Sequence, residues 1–154
     1  MDQKKVDFIC LVLVISIVIG LPAGIWIYNN HLWQNRIPAG AKEFVLTGHR
    51  ETGWILGEVR AHDIARIGGE PRGYKKPVIH VSQGDRVVFR LKSSDVVHGF
   101  SLKDFGIFIN EGVQPGKVRL VSFVVDKAGR FTFSCNAVCG ENHPDMQGTL
   151  VVQI

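Results

Sequence analysis

Residues 135 to 146 read Cys135-Asn136-Ala137-Val138-Cys139-Gly140-Glu141-Asn142-His143-Pro144-Asp145-Met146, so that Cys135, Cys139, His143 and Met146 follow one another as C-x3-C-x3-H-x2-M. Thiolates, an imidazole and a weak thioether form a soft ligand set. It suits redox-active copper, whereas magnesium and calcium take oxygen ligands. Zinc has no use for the thioether, and its structural sites pair C-x2-4-C with a second ligand pair. The pattern points to electron transfer and away from hydrolysis.

The second cysteine sharpens the reading. Cys139, His143, Met146 and an upstream His98 already make up the set of one mononuclear blue copper site, so Cys135 is surplus to a single ion. Two thiolates four residues apart on one tight loop can instead bridge a pair of copper ions. Two alternatives compete with this. A cysteine pair outside the cytoplasm is often a disulfide, but a disulfide gives no reason for His98, His143 and Met146 to stand in register. A thiol oxidoreductase carries C-x2-C at a helix start, a spacing this loop lacks.

Outward from the loop the chain reads as short strands separated by turn residues. Expected strands cover 54–61, 78–82, 86–92, 118–125, 131–135 and 149–154, with clear alternation in Val87, Phe89 and Leu91 and again in Phe131, Phe133 and Cys135. Ser82-Gln83-Gly84-Asp85 and Lys127-Ala128-Gly129 supply turns. With no helical period after residue 43, this spacing argues for a β-sandwich or barrel. Strand 86–92 is expected to end in a loop delivering His98, and the strand ending at Cys135 to feed the cysteine loop at the same end.

The loop, taken with Asp95-Val96-Val97-His98-Gly99-Phe100, resembles the copper A domain of cytochrome c oxidase subunit II, the family through which electrons enter haem–copper oxidases. The resemblance runs from about residue 77 onward and more loosely to the N-terminal anchor. It implies an all-β, cupredoxin-like Greek-key β-sandwich preceded by one N-terminal transmembrane helix. It implies a dinuclear copper centre in which Cys135 and Cys139 bridge, His98 and Met146 complete one copper, and His143 with the backbone carbonyl of Ala137 completes the other. It further implies a haem-bearing subunit I as partner, a c-type cytochrome as electron donor, and oxygen reduction outside this chain. The single span is similar to that of the B-type oxidases.

Two departures from the family pattern stand out. Many members carry a magnesium-binding Glu where Ala137 stands, so no magnesium ligand is expected there. Residues 61–64 read AHDI where a surface aromatic often passes electrons inward. Nitrous oxide reductase, which uses a similar copper pair, needs a second histidine-rich cluster that six histidines do not supply once His98 and His143 are used. A different functional class also remains open, that of a free-standing membrane-anchored copper electron carrier or copper-delivery protein.

Residues 8–28, FICLVLVISIVIGLPAGIWIY, carry no charge. As a helix they extend about 31 Å, enough to cross a hydrocarbon core of about 30 Å. A cleaved signal peptide has an apolar core of only about 7–15 residues and a small residue where Leu21 stands, so an uncleaved anchor is expected. The resulting division is 1–28 for the anchor, 29–43 for a linker containing Pro38 and Gly40, and 44–154 for the copper domain. Trp26, Tyr28 and Trp33 suit the outer headgroup layer, and Lys4 and Lys5 against Arg36 bias the N-terminus slightly towards the cytoplasm. A dithiolate site belongs outside the reducing cytosol. A single-pass inner-membrane protein with a periplasmic copper domain follows. Cys10 reads as a small apolar side chain, and Asp7 resembles a carboxylate near the mouth of a proton pathway in single-span members.

The 154 residues carry a net charge of +4 and a pI near 9.1. No repeat, low-complexity tract or nucleotide-binding glycine pattern occurs, and no nucleic-acid partner is expected. The bulk charge does not favour a basic cytochrome, but the loops at the copper end hold Asp95, Asp104, Glu111, Glu141 and Asp145 against Lys103 and Lys117. Such a local acidic face is expected to steer the donor. His31, His49, His62 and His80 lack partners at ligand spacing, and His80, within strand 78–82, is the nearest competitor of His98.

Overall fold

The computed structural model describes residues 2–34, 37–59, 75–140 and 143–154. Expectations resting on Arg36, on 61–64 with His62, and on Glu141 lie outside the described residues, as do the side chains of His31 and Trp33.

The N-terminal unit is a continuous helical run made of α1 (Gln3–Ile15), a π turn (Ser16–Gly20) and α2 (Leu21–Gln34). Asp2 caps its start, accepting from the Lys4 N–H at 3.4 Å. Pro22 has no N–H to offer the carbonyl of Val18, and the wider π turn lies just before it. Gln3–Tyr28 is long and apolar enough to cross a membrane, and Phe8, Leu13, Ile17 and Ile25 are each more than half exposed along it. The helix continues past Tyr28 to Gln34 through a more polar stretch, since its backbone bonds are internal and need no apolar face. The stretch expected as a linker is therefore partly helix, and it is shortened at its other end by a strand that begins at Lys42.

The second unit, Ala39–Ile154, holds all nine described strands. They are β1 (Lys42–His49), β2 (Gly53–Leu56), β3 (Val78–Ser82), β4 (Arg86–Ser93), β5 (His98–Leu102), β6 (Ile107–Val113), β7 (Arg119–Val124), β8 (Gly129–Ser134) and β9 (Gln147–Gln153). They form a four-stranded sheet in the order β2-β1-β4-β7 and a five-stranded sheet in the order β3-β9-β8-β5-β6. The pairs β1–β4 and β3–β9 are parallel and the others antiparallel. An all-β sandwich that follows one apolar helix in the chain is thus the architecture, as expected. Three of its strands, β1, β5 and β6, were not among those expected, and the strand expected over 54–61 stops at Leu56. Among the described residues, helix after residue 43 is confined to two 3-10 turns.

The turn at Ser82–Asp85 shows how short polar residues join strands. Ser82 N–H donates to Asp85 Oδ2 at 2.7 Å, Asp85 N–H donates to Ser82 O at 3.1 Å, and Gly84 takes a left-handed φ of 90°.

Alternation places the core between the sheets. Val87, Phe89 and Leu91 of β4 are fully buried, and Gly148, Leu150 and Val152 of β9 point inward. Phe89 meets Phe100 of β5 and Phe133 of β8, each at 5.9 Å between ring centroids, while Phe100 and Phe133 stack at 5.8 Å. Trp54 of β2 stands edge-on to Phe100 at 5.5 Å. Burying each such ring contributes roughly 1.5–3 kcal/mol, with about 0.5–1.5 more per aromatic pair. This seam joins the sheets at the end where the cysteine loop sits, since Trp54 also lies 6.2 Å from the ring of His98.

Candidate metal centre

β8 hands the chain to Cys135, which then passes through Ala137 and Cys139 to a 3-10 turn (His143–Asp145) and through Met146 into β9. The backbone closes this loop at its neck. Cys135 N–H donates to Met146 O at 3.0 Å, Met146 N–H to His143 O at 3.2 Å, and His143 N–H to Gly140 O at 3.2 Å. His98, expected in a loop, is instead the first residue of β5, and its side chain is fully buried. The β5–β6 pairing shifts register between His98 and Phe100, and the Gly99 N–H donates to Cys135 Sγ at 3.2 Å. The approach is close enough that a Cβ at Gly99 would lie 2.0 Å from Asn136 Oδ1.

Around this frame the predicted donors converge. Cys135 Sγ and Cys139 Sγ are free thiols 3.5 Å apart. Cys139 Sγ lies 3.7 Å from both His143 Nδ1 and Met146 Sδ. Cys135 Sγ lies 3.1 Å from Ala137 O. The donor atoms of His98, Cys135 and Cys139 all fall within 4.8 Å of one another. Of the other histidines whose side chains are described, His80 is exposed on the outer face of β3, and His49 lies against Asp95.

The fit to a metal rests on His98. Its Nε2 is held by Asp95 Oδ1 at 2.8 Å, while Nδ1 is buried and has no hydrogen-bond partner. Buried polar atoms are seldom left unpaired. An imidazole with one nitrogen fixed by a carboxylate and the other bare beside thiols is the arrangement in which proteins hold a ligating histidine. With two sulfurs and a thioether beside it, the set fits copper.

The electrostatics divide the two thiols. Burial pushes Cys135 up, but the His98 ring, the backbone at Ala137 and Gly99, and the neighbouring Cys139 outweigh it and bring the thiol down to about 6. Burial pushes Cys139 up as well, and the negative charge developing on Cys135 adds to this, taking it to about 12. Burial also lowers His98, yet Cys135 and Asp95 more than offset it and raise the ring above its ordinary value. Copper-free and near neutral pH, the pair thus carries one thiolate and one thiol.

Asp95, expected among the acidic charges of the docking face, is mostly buried. Only 17% of its side chain is exposed; Oδ1 faces His98, and Oδ2 accepts from Arg50 N–H at 2.8 Å and lies 3.8 Å from His49 Nε2. Burial pushes the Asp95 carboxyl up, but Arg50, His98 and the Val96 N–H hold it below the usual carboxylate range. Its place three residues before His98 was the one available signal. Elsewhere on the acidic face Glu111 pairs with Arg119, and Asp145 with Lys76 at 3.3 Å. Its field is weaker than formal charges suggest.

Residues 74–153 match the family model described as the periplasmic domain of cytochrome c oxidase subunit II. A cytochrome c oxidase subunit 2 from Thermus thermophilus is 41% identical over 81 residues, which cover 53% of this chain and 58% of that protein. A second from that organism matches at the same identity over 47% of its length, and one from Kluyveromyces lactis is 33% identical over 58 residues, 38% of this chain and 23% of that protein. The chain spans about half the length of the Thermus relatives it matches. Among solved structures, the periplasmic domain of cytochrome oxidase subunit II from Bradyrhizobium japonicum superposes with a TM-score of 0.53 at 24% identity, covering 75% of this chain and 86% of that one. A chain of a haem–copper terminal oxidase dimer superposes with a TM-score of 0.54 at 20% identity, covering 98% and 99%. At these identities the two structures share the fold, which is the cupredoxin-like sandwich expected from the sequence.

Proposed function

The chain belongs to the cytochrome c oxidase subunit II family, and from that premise we propose that it is the subunit through which electrons enter a membrane-bound haem–copper oxidase. Its β-domain takes electrons from a c-type cytochrome and passes them to haem in a separate subunit I, where oxygen is reduced. The observation that carries this reading is the 3.5 Å approach of the Cys135 and Cys139 sulfurs with His98, His143 and Met146 around them.

In this reading Cys135 and Cys139 would both hold a pair of coppers, with His98 and Met146 serving one and His143 and the carbonyl of Ala137 the other. The copper pair, when bound, supplies a one-electron store shared by two ions. The chain's own residues keep it rigid. Asp95 fixes the orientation of His98, the Gly99 N–H offsets charge on the Cys135 sulfur, and the seam of Trp54, Phe100, Phe89 and Phe133 holds β5 and the cysteine loop on one stiff support. The apolar helix is the membrane anchor, with its N-terminus in the cytoplasm and the copper domain in the periplasm.

Copper loading of the purified full-length chain under reducing conditions tests this. We expect two coppers per chain and, after oxidation, a purple centre with one unpaired electron spread over both ions. Rapid reduction by a reduced c-type cytochrome is expected to follow. One copper per chain at saturation, with both thiols intact, overturns the dinuclear reading and favours a free-standing copper carrier.

A further inference from the structure

We propose that Gly48 is a positioning residue for one half of the centre, because its missing side chain gives His98 and Met146 the room to reach the same copper. This rests on the dinuclear reading above. Gly48 lies within β1, opposite Trp54 in β2 and Ser93 in β4, and is buried. Its φ is not among the positive values that call for glycine in this chain, and glycine weakens a strand interior. Space is the reason for it. A Cβ at this position would stand 2.8 Å from His98 Cδ2, 3.0 Å from Met146 Cε and 3.1 Å from His98 Cγ. The three nearest atoms therefore all belong to the two side chains assigned to one copper.

Neither side chain can give way without cost to the site. The His98 ring is fully buried, held at Nε2 by Asp95 at 2.8 Å and flanked by Trp54. The Met146 methyl can turn aside about the Cγ–Sδ bond, which leaves the sulfur in place but redirects the lone pairs it would offer a metal. The other face of the same peptide fixes the segment that precedes His98, since the Gly48 carbonyl accepts from the Ser94 N–H at 3.1 Å and from Ser94 Oγ at 3.0 Å. β1 thus ties down the approach to His98 through a carbonyl and admits the ring through a bare Cα. A methyl group here disturbs the ligands of one copper and not those of the other, so the unpaired electron ceases to be evenly shared.

The experiment compares the copper-loaded full-length chain with its Gly48→Ala variant by copper count, by the hyperfine pattern of the electron paramagnetic resonance spectrum, and by the rate of copper loss to a chelator. We expect two coppers in both, an even hyperfine pattern in the parent, an uneven one tending to that of a single copper in the variant, and copper loss faster by about tenfold or more, the range that misplaced ligand support produces. A Gly48→Ala chain with the parent's pattern and loss rate overturns the inference and leaves the dinuclear reading standing. A parent that binds one copper removes that reading and the inference with it. Should Gly48→Ala fail to fold, Met146→Ala is compared with the double variant Met146→Ala/Gly48→Ala, in which the methyl contact is gone and only the His98 ring is met. A difference in hyperfine pattern between those two supports the proposal, and identical patterns overturn it.

Discussion

Asp95 Oδ1 lies 2.8 Å from His98 Nε2, and the opposite ring nitrogen, His98 Nδ1, is buried with no hydrogen-bond partner. One nitrogen is thereby committed to the protein and the other left free. Asp95→Asn preserves size while removing the charge that fixes the ring. Copper affinity, measured by competition with a chelator, is expected to fall about 10–100-fold. Affinity equal to the parent's would mean that Asp95 does not position His98.

The thiols are expected to titrate far apart in the copper-free, reduced chain. Alkylation of Cys135 accelerates as pH rises through about 6, while Cys139 keeps its proton until about 12. At neutral pH, copper uptake by both sulfurs therefore releases one proton from the pair, measurable in weakly buffered solution. The sign of the stability effect follows. Cys135 sits below its unfolded value of 9.0, so its contribution is full above 9 and is lost as pH falls through about 6. Cys139 sits above that value, so its contribution is full below 9 and is lost as pH rises towards 12. Two thiols reacting with one common midpoint near 9 would contradict this.

Trp54 is 1% exposed, yet its indole N–H has no partner. Trp54→Ala is expected to destabilise the copper-free chain by about 3–5 kcal/mol in denaturant unfolding, as deletion of a buried aromatic does. Trp54→Phe keeps the edge contact with Phe100 and removes the unpaired donor, so its cost is expected to stay below about 1.5 kcal/mol. Equal costs for the two variants would show that ring packing is not what Trp54 supplies.

Met146 and Cys135 are expected to fail differently. Met146→Leu conserves volume at a buried position and removes only the weakest donor, so two coppers remain and the reduction potential shifts. Cys135→Ser leaves His98, Cys139, His143 and Met146, a blue-copper set, and is expected to bind one copper or to lose metal readily. Elemental analysis and visible spectra distinguish the two, and a Cys135→Ser chain that retains a purple two-copper centre would show that Cys135 does not bridge.

Much of the centre was legible because soft donors are rare and lie within one loop. β3 was legible to the residue, since Ile79 and Val81 face inward while Val78, His80 and Ser82 face out. β5 was not, because every residue from His98 to Leu102 is buried and no alternation survives in a strand covered on both faces. β1 hides in the same way at Leu46, Thr47 and Gly48. Asp95 is the same letter whether it meets water or an imidazole, and only burial separates a steering charge from a structural one. Gly48 is remote from His98 in sequence and reaches it through the parallel pairing of β1 with β4.

The strand order also sets a sequence of events in time. β9 lies between β3 and β8 in the five-stranded sheet, and the neck of the donor loop closes through Cys135 N–H and Met146 O at the start of that strand. The neck and the β8–β9 pairing join near neighbours in sequence, but β3 pairs with β9 across most of the domain, and so distant a pairing closes slowly. A chain still folding thus presents its two cysteines before the sheet behind them is complete, and an oxidant arriving early meets the cysteines alone. If the proposed function holds, polypeptide first and metal second is the order that this topology favours.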